Sequence, residues 1–214
     1  LAPGSAYATA RVGHLLDMTV SSAFREDYAE PQGGYGRYRS ASGWRPIEGG
    51  GTADLAGFLA EMPGGDEPHG ARFHYLSPNS DMLGLVVERA AGMRFADLAR
   101  ARLWRPMGGC GPASITLDGH GVARAAGGLS ATAEDLALMG ECVLGHHAVL
   151  PQAVVARLRG TPGTPDPEGT WARGDLAHLF PGGGYRSQWY RTGLASGAMA
   201  AIGIHGQWVW ADPA

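Results

Sequence analysis

The chain has 214 residues and a mass of 22.3 kDa, room for one domain with a sizeable core or for part of a larger fold. A formal charge of -3 leaves no polycationic surface to follow a phosphate backbone, so nucleic acid is not an expected partner, and no apolar run is long enough for a membrane span. All 17 basic residues are arginine, so these residues supply no Schiff-base lysine, no phosphate-loop lysine and no Ser/Lys catalytic pair.

Val12 to Met18 reads as a short amphipathic helix with Leu15 and Leu16 on its apolar side. From Thr19 to Gly51, Phe24, Tyr28, Tyr35, Tyr38 and Trp44 alternate with Gly, Ser and Pro in neither regular period. That pattern predicts a long loop of the kind that forms a lid or a binding wall, and its aromatics argue against disorder. Leu55, Phe58, Leu59 and Met62 make a helical stripe, with Thr52 as its expected cap and Pro63-Gly64-Gly65 as its stop. Ala71 to Tyr75 is extended, and Ser77 to Asp81 opens a helix with Met82, Leu83, Val86, Val87 and Ala90 on its apolar face and Gly92 at its end. Phe95 to Leu103 is a further helix, closed by Pro106 and Gly108-Gly109.

A strand is expected over Ala113 to Leu117, then a loop at Ala126-Gly127-Gly128. Thr132 with Asp135 forms a capping box for a helix striped by Leu136, Met139 and Val143, and Pro151 opens another that ends at Gly160. The period then changes. Gln188–Thr192, Ala198–Ile204 and Gln207–Ala211 read as successive antiparallel strands, the last apolar on both faces and so expected to be covered on both sides. The class is α+β: residues 1–184 form a mostly helical region carrying the loop 19–51, and residues 185–214 supply three antiparallel strands. Such a sheet needs more strands, helices or a partner to cover it, which reads as an internal piece of a larger fold lacking its N- and C-terminal parts.

Local chemistry offers candidates rather than an answer. Tyr75 stands where an extended segment meets a helix N-terminus, with Ser77 and Asn79 nearby, so a phenol and polar partners face a mouth where a reacting group could bind. A structural tyrosine or a cap would have the same spacing. His205 lies in Gly203-Ile204-His205-Gly206-Gln207, where small residues let the backbone approach a ligand with free amides, although an ordinary hairpin turn reads the same. No His-Glu-x-x-His, phosphate-loop or Gly-x-Ser-x-Gly pattern occurs, and Cys110 and Cys142 lack metal-ligand spacing and read as separate thiols. Neither metal nor cofactor is expected.

Several segments carry a resemblance that spans nearly the whole chain. Val12-Gly13-His14-Leu15-Leu16-Asp17-Met18-Thr19, Phe73-His74-Tyr75-Leu76-Ser77-Pro78-Asn79 with Glu88 and Gly92, Ala126-Gly127-Gly128-Leu129-Ser130-Ala131-Thr132, and Gly203 to Gln207 with Asp212-Pro213 occur in that order. Together they resemble the serine beta-lactamase-like superfamily of esterases, class C beta-lactamases and DD-peptidases. Arg25-Glu26-Asp27-Tyr28 and Tyr185-Arg186-Ser187-Gln188-Trp189-Tyr190 are more narrowly similar to its 6-aminohexanoate-dimer hydrolase branch.

The resemblance implies a beta-lactamase/transpeptidase-like fold, an antiparallel sheet flanked by helices, of which this chain is a part. It also implies acyl transfer through a serine ester, with a Ser-x-x-Lys nucleophile motif that these residues do not contain, so the chain alone is expected to be inactive. Tyr75 matches the proton-transferring tyrosine and Ile204 the amide donor of the oxyanion hole; Ser77, Gly203, His205 and Gly206 match substrate-binding positions, and Tyr28 a loop tyrosine that contacts substrate. The commoner Tyr-x-Asn pattern is replaced by Tyr75-Leu76-Ser77, a form that resembles the hydrolase and esterase members. The expected partner is a small amide or ester. Carboxylesterase, beta-lactamase or DD-peptidase activity, or a non-catalytic binding protein on the same scaffold, are the alternatives. Oligomeric state is open, a homodimer being one option, as is localisation, with the cytoplasm favoured.

Overall fold

Helix α4 (Ser77–Ala91) organises the helical part of the molecule. The computed structural model describes residues 1–30, 32–47, 51–160 and 169–214. Around α4 lie α1 (Val12–Leu16), α2 (Gly34–Ala41) and α3 (Leu55–Ala60). They share a core of Leu15, Tyr35, Tyr38, Leu55, Leu59, Met62, Leu76, Met82 and Leu85. Gly92 ends α4 in the left-handed conformation expected of a glycine C-cap, with φ 60°. Helix α5 (Phe95–Ala99) runs on into a π-helical turn over Arg100–Trp104.

A two-stranded ribbon, β1 (Ser114–Ile115) with β2 (Leu129–Ser130), precedes α6 (Ala133–Leu144) and α7 (Gln152–Arg159). Thr132 caps α6 by accepting from the Asp135 amide at 3.2 Å. The main sheet is antiparallel throughout, in the order β3 (Gly184–Arg186), β4 (Trp189–Arg191), β5 (Met199–Ile202), β6 (Trp208–Ala211). Met199 and Ala211 pack on Val143, Leu144 and Leu158 from α6 and α7, while Tyr190 and Ala200 face Met18, Phe73 and Trp171. The architecture is thus α+β, antiparallel strands flanked by helices, of the beta-lactamase/transpeptidase type. No helix among the described residues is long and apolar enough to cross a membrane.

Four sequence-based expectations need correction. The stretch 19–51 contains a helix, α2, which its glycines and low helix propensity hide and which burial of Tyr35 and Tyr38 supports; Pro31 and Glu48 to Gly50 of this stretch lie outside the described residues. The cap of α3 is Asp54, which accepts from the Gly57 amide at 2.8 Å, rather than Thr52. Among the described residues the main sheet has four strands, not three. Its first hairpin turns through Ser187 and Gln188 at φ 49° and 72°, without the Asn-Gly signal such turns usually carry. Tertiary contacts hold that turn: Ser187 N–H donates to Asp17 Oδ1 at 2.9 Å, Gln188 N–H to the Leu16 carbonyl at 3.0 Å, and Arg186 pairs with Asp17 at 2.6 Å. Finally, β6 is covered on one face only within the described residues. Ala211 is buried, but Trp208 and Trp210 are 57% and 47% exposed.

Asp81 joins three parts of the helical region. Its carboxyl is fully buried and accepts from the Tyr38 hydroxyl of α2 at 2.5 Å and from the Ala126 amide at 2.8 Å. Burial pushes its pKa up to about 6, against the pull of both donors and of Arg124. Because the folded state holds this proton more tightly than the unfolded one, the associated stability is complete below about pH 4 and is lost as pH rises through about 6. In denaturant melts, the stability of the wild-type chain relative to Asp81→Asn should fall by roughly 1–3 kcal/mol between pH 4 and pH 7.5. A difference independent of pH would show that this carboxyl titrates normally.

Candidate active site

Tyr75 ends an extended segment that is gripped on both sides. Phe73 N–H donates to the Thr170 carbonyl at 2.9 Å and His74 N–H to the Met18 carbonyl at 2.7 Å. The Phe73 ring lies 4.9 Å from both Trp171 and Tyr185, and Arg72 pairs with Glu67 at 3.2 Å and Asp175 at 3.4 Å. Helix α4 begins two residues after Tyr75 with no local cap: Leu76 has no polar side chain and Pro78 no N–H. The cap comes from Glu26. Its carboxylate accepts from the Ser77 amide, from the Ser77 hydroxyl at 2.8 Å and from the Tyr28 hydroxyl at 3.2 Å.

Across from this turn, β5 ends at Ile202 and the chain reverses through Gly203 to Gln207. Gly203 N–H donates to the Gln207 carbonyl at 2.9 Å and Gly206 N–H to the Gly203 carbonyl at 3.1 Å, with Gly206 at φ 84°, where a side chain would be strained. Ile204 is 52% exposed, and its amide has no hydrogen-bond partner among the described residues. A half-open cavity of about 1140 Å³ lies between the two turns. Glu26, Tyr28 and Tyr75 contribute to its wall from the helical side, and Tyr190, Ile202, Gly203 and Ile204 from the sheet.

Of the residues singled out from sequence, the fold therefore brings Tyr28, Tyr75, Gly203 and Ile204 around one space. Ser77 lies behind that wall, bonded to Glu26. His205 and Gly206 are exposed beyond it, the His205 ring meeting Trp44 edge-on at 5.6 Å. Asn79 is fully buried and accepts from the Tyr7 hydroxyl at 3.0 Å, so it is engaged in the core.

The site's electrostatics keep its phenols protonated. Burial pushes the Tyr75 pKa up to about 12, and the Glu26 charge adds to the rise; Ser77 and Arg124 oppose it in part. Tyr28 and Tyr190 are raised as well, by burial first. Burial also raises Glu26, against the donors that hold it. Arg124, stacked 3.9 Å over Trp44, is the cation whose charge reaches both Glu26 and Tyr75. Sequence reading passed over Glu26, Tyr190 and Arg124 as site residues. The available signal was an acid two positions before the loop tyrosine, which in an Arg-Glu-Asp run looks like a solvated face. Among the described residues no group of three His, Cys, Asp or Glu side chains is placed to hold a metal ion.

Comparison with known proteins bears on this arrangement. The family described as Beta-lactamase matches residues 1–214. The 6-aminohexanoate-dimer hydrolase of Paenarthrobacter ureafaciens is 35% identical over 216 residues, covering 98% of this chain and 53% of that protein. The chain thus spans about half the length of this curated relative. Among solved structures, a Bacillus anthracis protein assigned as a 6-aminohexanoate-dimer hydrolase superposes with a TM-score of 0.80 at 24% identity, over 99% of this chain and 54% of that one. EstCE1, a hydrolase with promiscuous acyltransferase activity, gives 0.63 at 19% identity, over 94% of this chain and 63% of its own. These two structural likenesses speak to the fold.

The Tyr75 environment can be tested on the chain itself. With ¹³Cζ-labelled tyrosine and Tyr75→Phe to assign the resonance, Tyr75 should remain a neutral phenol at about pH 10.5, where a free tyrosine is mostly ionised. A midpoint at or below about 10 would show that burial and the Glu26 charge do not act on it.

Proposed function

The chain belongs to the beta-lactamase family, which places it among hydrolases related to amidohydrolases and esterases, and from that premise we propose that it carries half of a serine-hydrolase site. In this reading the complete enzyme consists of these residues joined to a segment bearing Ser-x-x-Lys, and it cleaves an amide resembling the 6-aminohexanoate dimer. The serine oxygen attacks the carbonyl carbon as its proton passes to Tyr75, held as a phenolate beside the Ser-x-x-Lys cation, and the resulting oxyanion is held by the Ile204 amide together with the nucleophile's own N–H. As the tetrahedral species collapses to the acyl-enzyme, Tyr75 passes a proton to the leaving nitrogen; water then releases the acyl group. The observation that most supports this reading is the cavity itself, whose wall joins the Tyr75 turn to the Ile204 turn with an amide that has no partner among the described residues.

The Tyr75 environment also says what is needed to complete the site. A phenol with a pKa of about 12 is suited to give a proton to a leaving group, but to accept one near neutral pH it needs a cation beside it. Arg124 offsets only part of the burial and the Glu26 charge. A lysine from a Ser-x-x-Lys segment would supply the missing charge, and these residues contain none.

The 214 residues alone are therefore expected to hydrolyse neither p-nitrophenyl esters nor 6-aminohexanoate dimer above a mock preparation. In the complete enzyme, Tyr75→Phe should cost about 10²–10⁴-fold in rate while the fold persists, because Phe keeps the ring and loses only the proton carrier. Turnover by the chain alone, or near-normal turnover by the complete Tyr75→Phe enzyme, would remove Tyr75 from its role.

A carboxylesterase is the second reading, favoured by the Tyr75-Leu76-Ser77 form. Tyr28 separates the two. It is 49% exposed on the cavity wall, with its hydroxyl within 3.2 Å of Glu26 and its ring 4.6 Å from Tyr35. An amide nitrogen must be protonated to leave, whereas an alkoxide leaves more readily, so a loop hydroxyl matters more for the amide. In the complete enzyme, Tyr28→Phe should lower kcat/KM for a 6-aminohexanoate amide at least about tenfold more than for a short-chain ester, a difference of roughly 1.4 kcal/mol. Equal losses on both substrates would assign Tyr28 to packing, and no amide turnover by the unmutated enzyme would favour the esterase.

A further inference from the structure

Three donors from two elements converge on one carboxylate in the cavity wall. The Ser77 amide donates to Glu26 Oε2, while the Ser77 hydroxyl at 2.8 Å and the Tyr28 hydroxyl at 3.2 Å share Oε1. An ionised carboxylate accepts on both oxygens and suits this set; a glutamine in its place can still accept from the Ser77 amide while its NH₂ donates to the two hydroxyls, so it removes the charge and keeps the tether, whereas an alanine removes both. The tether has no local substitute, since Leu76 cannot cap α4 and Pro78 contributes no N–H. Glu26 also sits in a loop that is otherwise pinned near its tip: Asp27 accepts from the Ala29 amide at 2.9 Å, and the Tyr28 ring packs edge-on against Tyr35.

We propose that Glu26 is a positioning residue of the active site, capping α4 from the loop and holding the Tyr28 hydroxyl against the turn that carries the Tyr75 phenol. It acts through Ser77, Tyr28 and Tyr75 rather than on the reacting atoms. The kinetic consequence rests on the serine-hydrolase reading, whereas the tether rests on geometry alone. The carboxylate also stands close enough to Tyr75 to help keep that phenol protonated. The other groups that feel its charge are Tyr35 from α2, Tyr190 from β4, Arg124 from the loop before β2 and, deeper in the core, Tyr7, Tyr38 and Tyr185.

Amide hydrogen exchange on the 214-residue chain reads the tether directly. Glu26→Ala should make the Ser77 amide exchange at least about tenfold faster and leave Leu85, in the middle of α4, unchanged. In Glu26→Gln, which removes the charge and keeps an acceptor, the Tyr75 ¹³Cζ titration should move down from its wild-type midpoint, a response that a capping role alone would not produce. In the complete enzyme, Glu26→Ala should lower kcat/KM at least about tenfold in the wild-type background and less than about threefold in the Tyr75→Phe background, as expected for residues that act as a unit. An unchanged Ser77 exchange rate, an unmoved Tyr75 titration, or equal losses in the two backgrounds would each overturn the proposal. If the complete enzyme turns over no substrate, the serine-hydrolase reading fails, and exchange and titration still decide the tether and the charge effect. Should Glu26→Ala not fold, Glu26→Asp withdraws the carboxylate by one methylene while keeping its charge: faster Ser77 exchange supports the tether, and a wild-type rate overturns it.

Discussion

The buried carboxyl of Asp81 is the constraint on which the helical region depends. It lies in α4, takes the Tyr38 hydroxyl from α2 and the Ala126 amide from the loop before β2, and has no exposed surface. Burying a carboxyl costs free energy unless its lone pairs are used, so the three segments can come together only in the arrangement that satisfies them. That arrangement seats Tyr38 among Phe24, Tyr35 and Phe58, the aromatic cluster beneath the loop that carries Glu26 and Tyr28. A polar group buried at a junction thereby sets the position of a cavity wall some distance away.

A second set of contacts joins this region to the sheet. Met18, itself at a left-handed φ of 52°, accepts from His74 through its carbonyl and packs with Phe73, Trp171, Tyr190 and Ala200. The β3–β4 hairpin docks on the end of α1 through Asp17 and the Leu16 carbonyl. These contacts bring the Tyr75 turn and the Gly203–Gln207 turn to opposite sides of the cavity. The cavity therefore lies where the helical region and the sheet meet beside their shared cluster, a common position for a small-molecule site.

The balance of charge around Tyr75 gives the site its chemical character. Burial and Glu26 act together to hold the phenol neutral, and Arg124, spread over the Trp44 face, is a diffuse counterweight. Such an environment favours proton donation over proton acceptance. A serine-ester route would need one further cation close to the phenol, and the basic residues of this chain are all arginine.

Much of the helical framework was legible in the sequence because its signals are local. The Thr132 cap, the Gly92 terminus and the apolar stripe of α4 each depend on side chains within a turn or two of one another. The resemblance carried by the motifs pointed to the fold and named Tyr75 and Ile204 as candidates. What sequence could not decide was whatever depends on partners far along the chain. Helix α2 forms despite two glycines because Tyr35 and Tyr38 are buried by other elements; the Ser187-Gln188 turn keeps its left-handed angles because Asp17 and Leu16 receive its amides; and Trp208 and Trp210 stay exposed because α6 and α7 pack on only one face of β6. Glu26 is the sharpest case. Within its own segment it is an acid among charged neighbours, and only the tertiary structure, by bringing the uncapped start of α4 to it across 51 residues of chain, makes its carboxylate the group that three donors share.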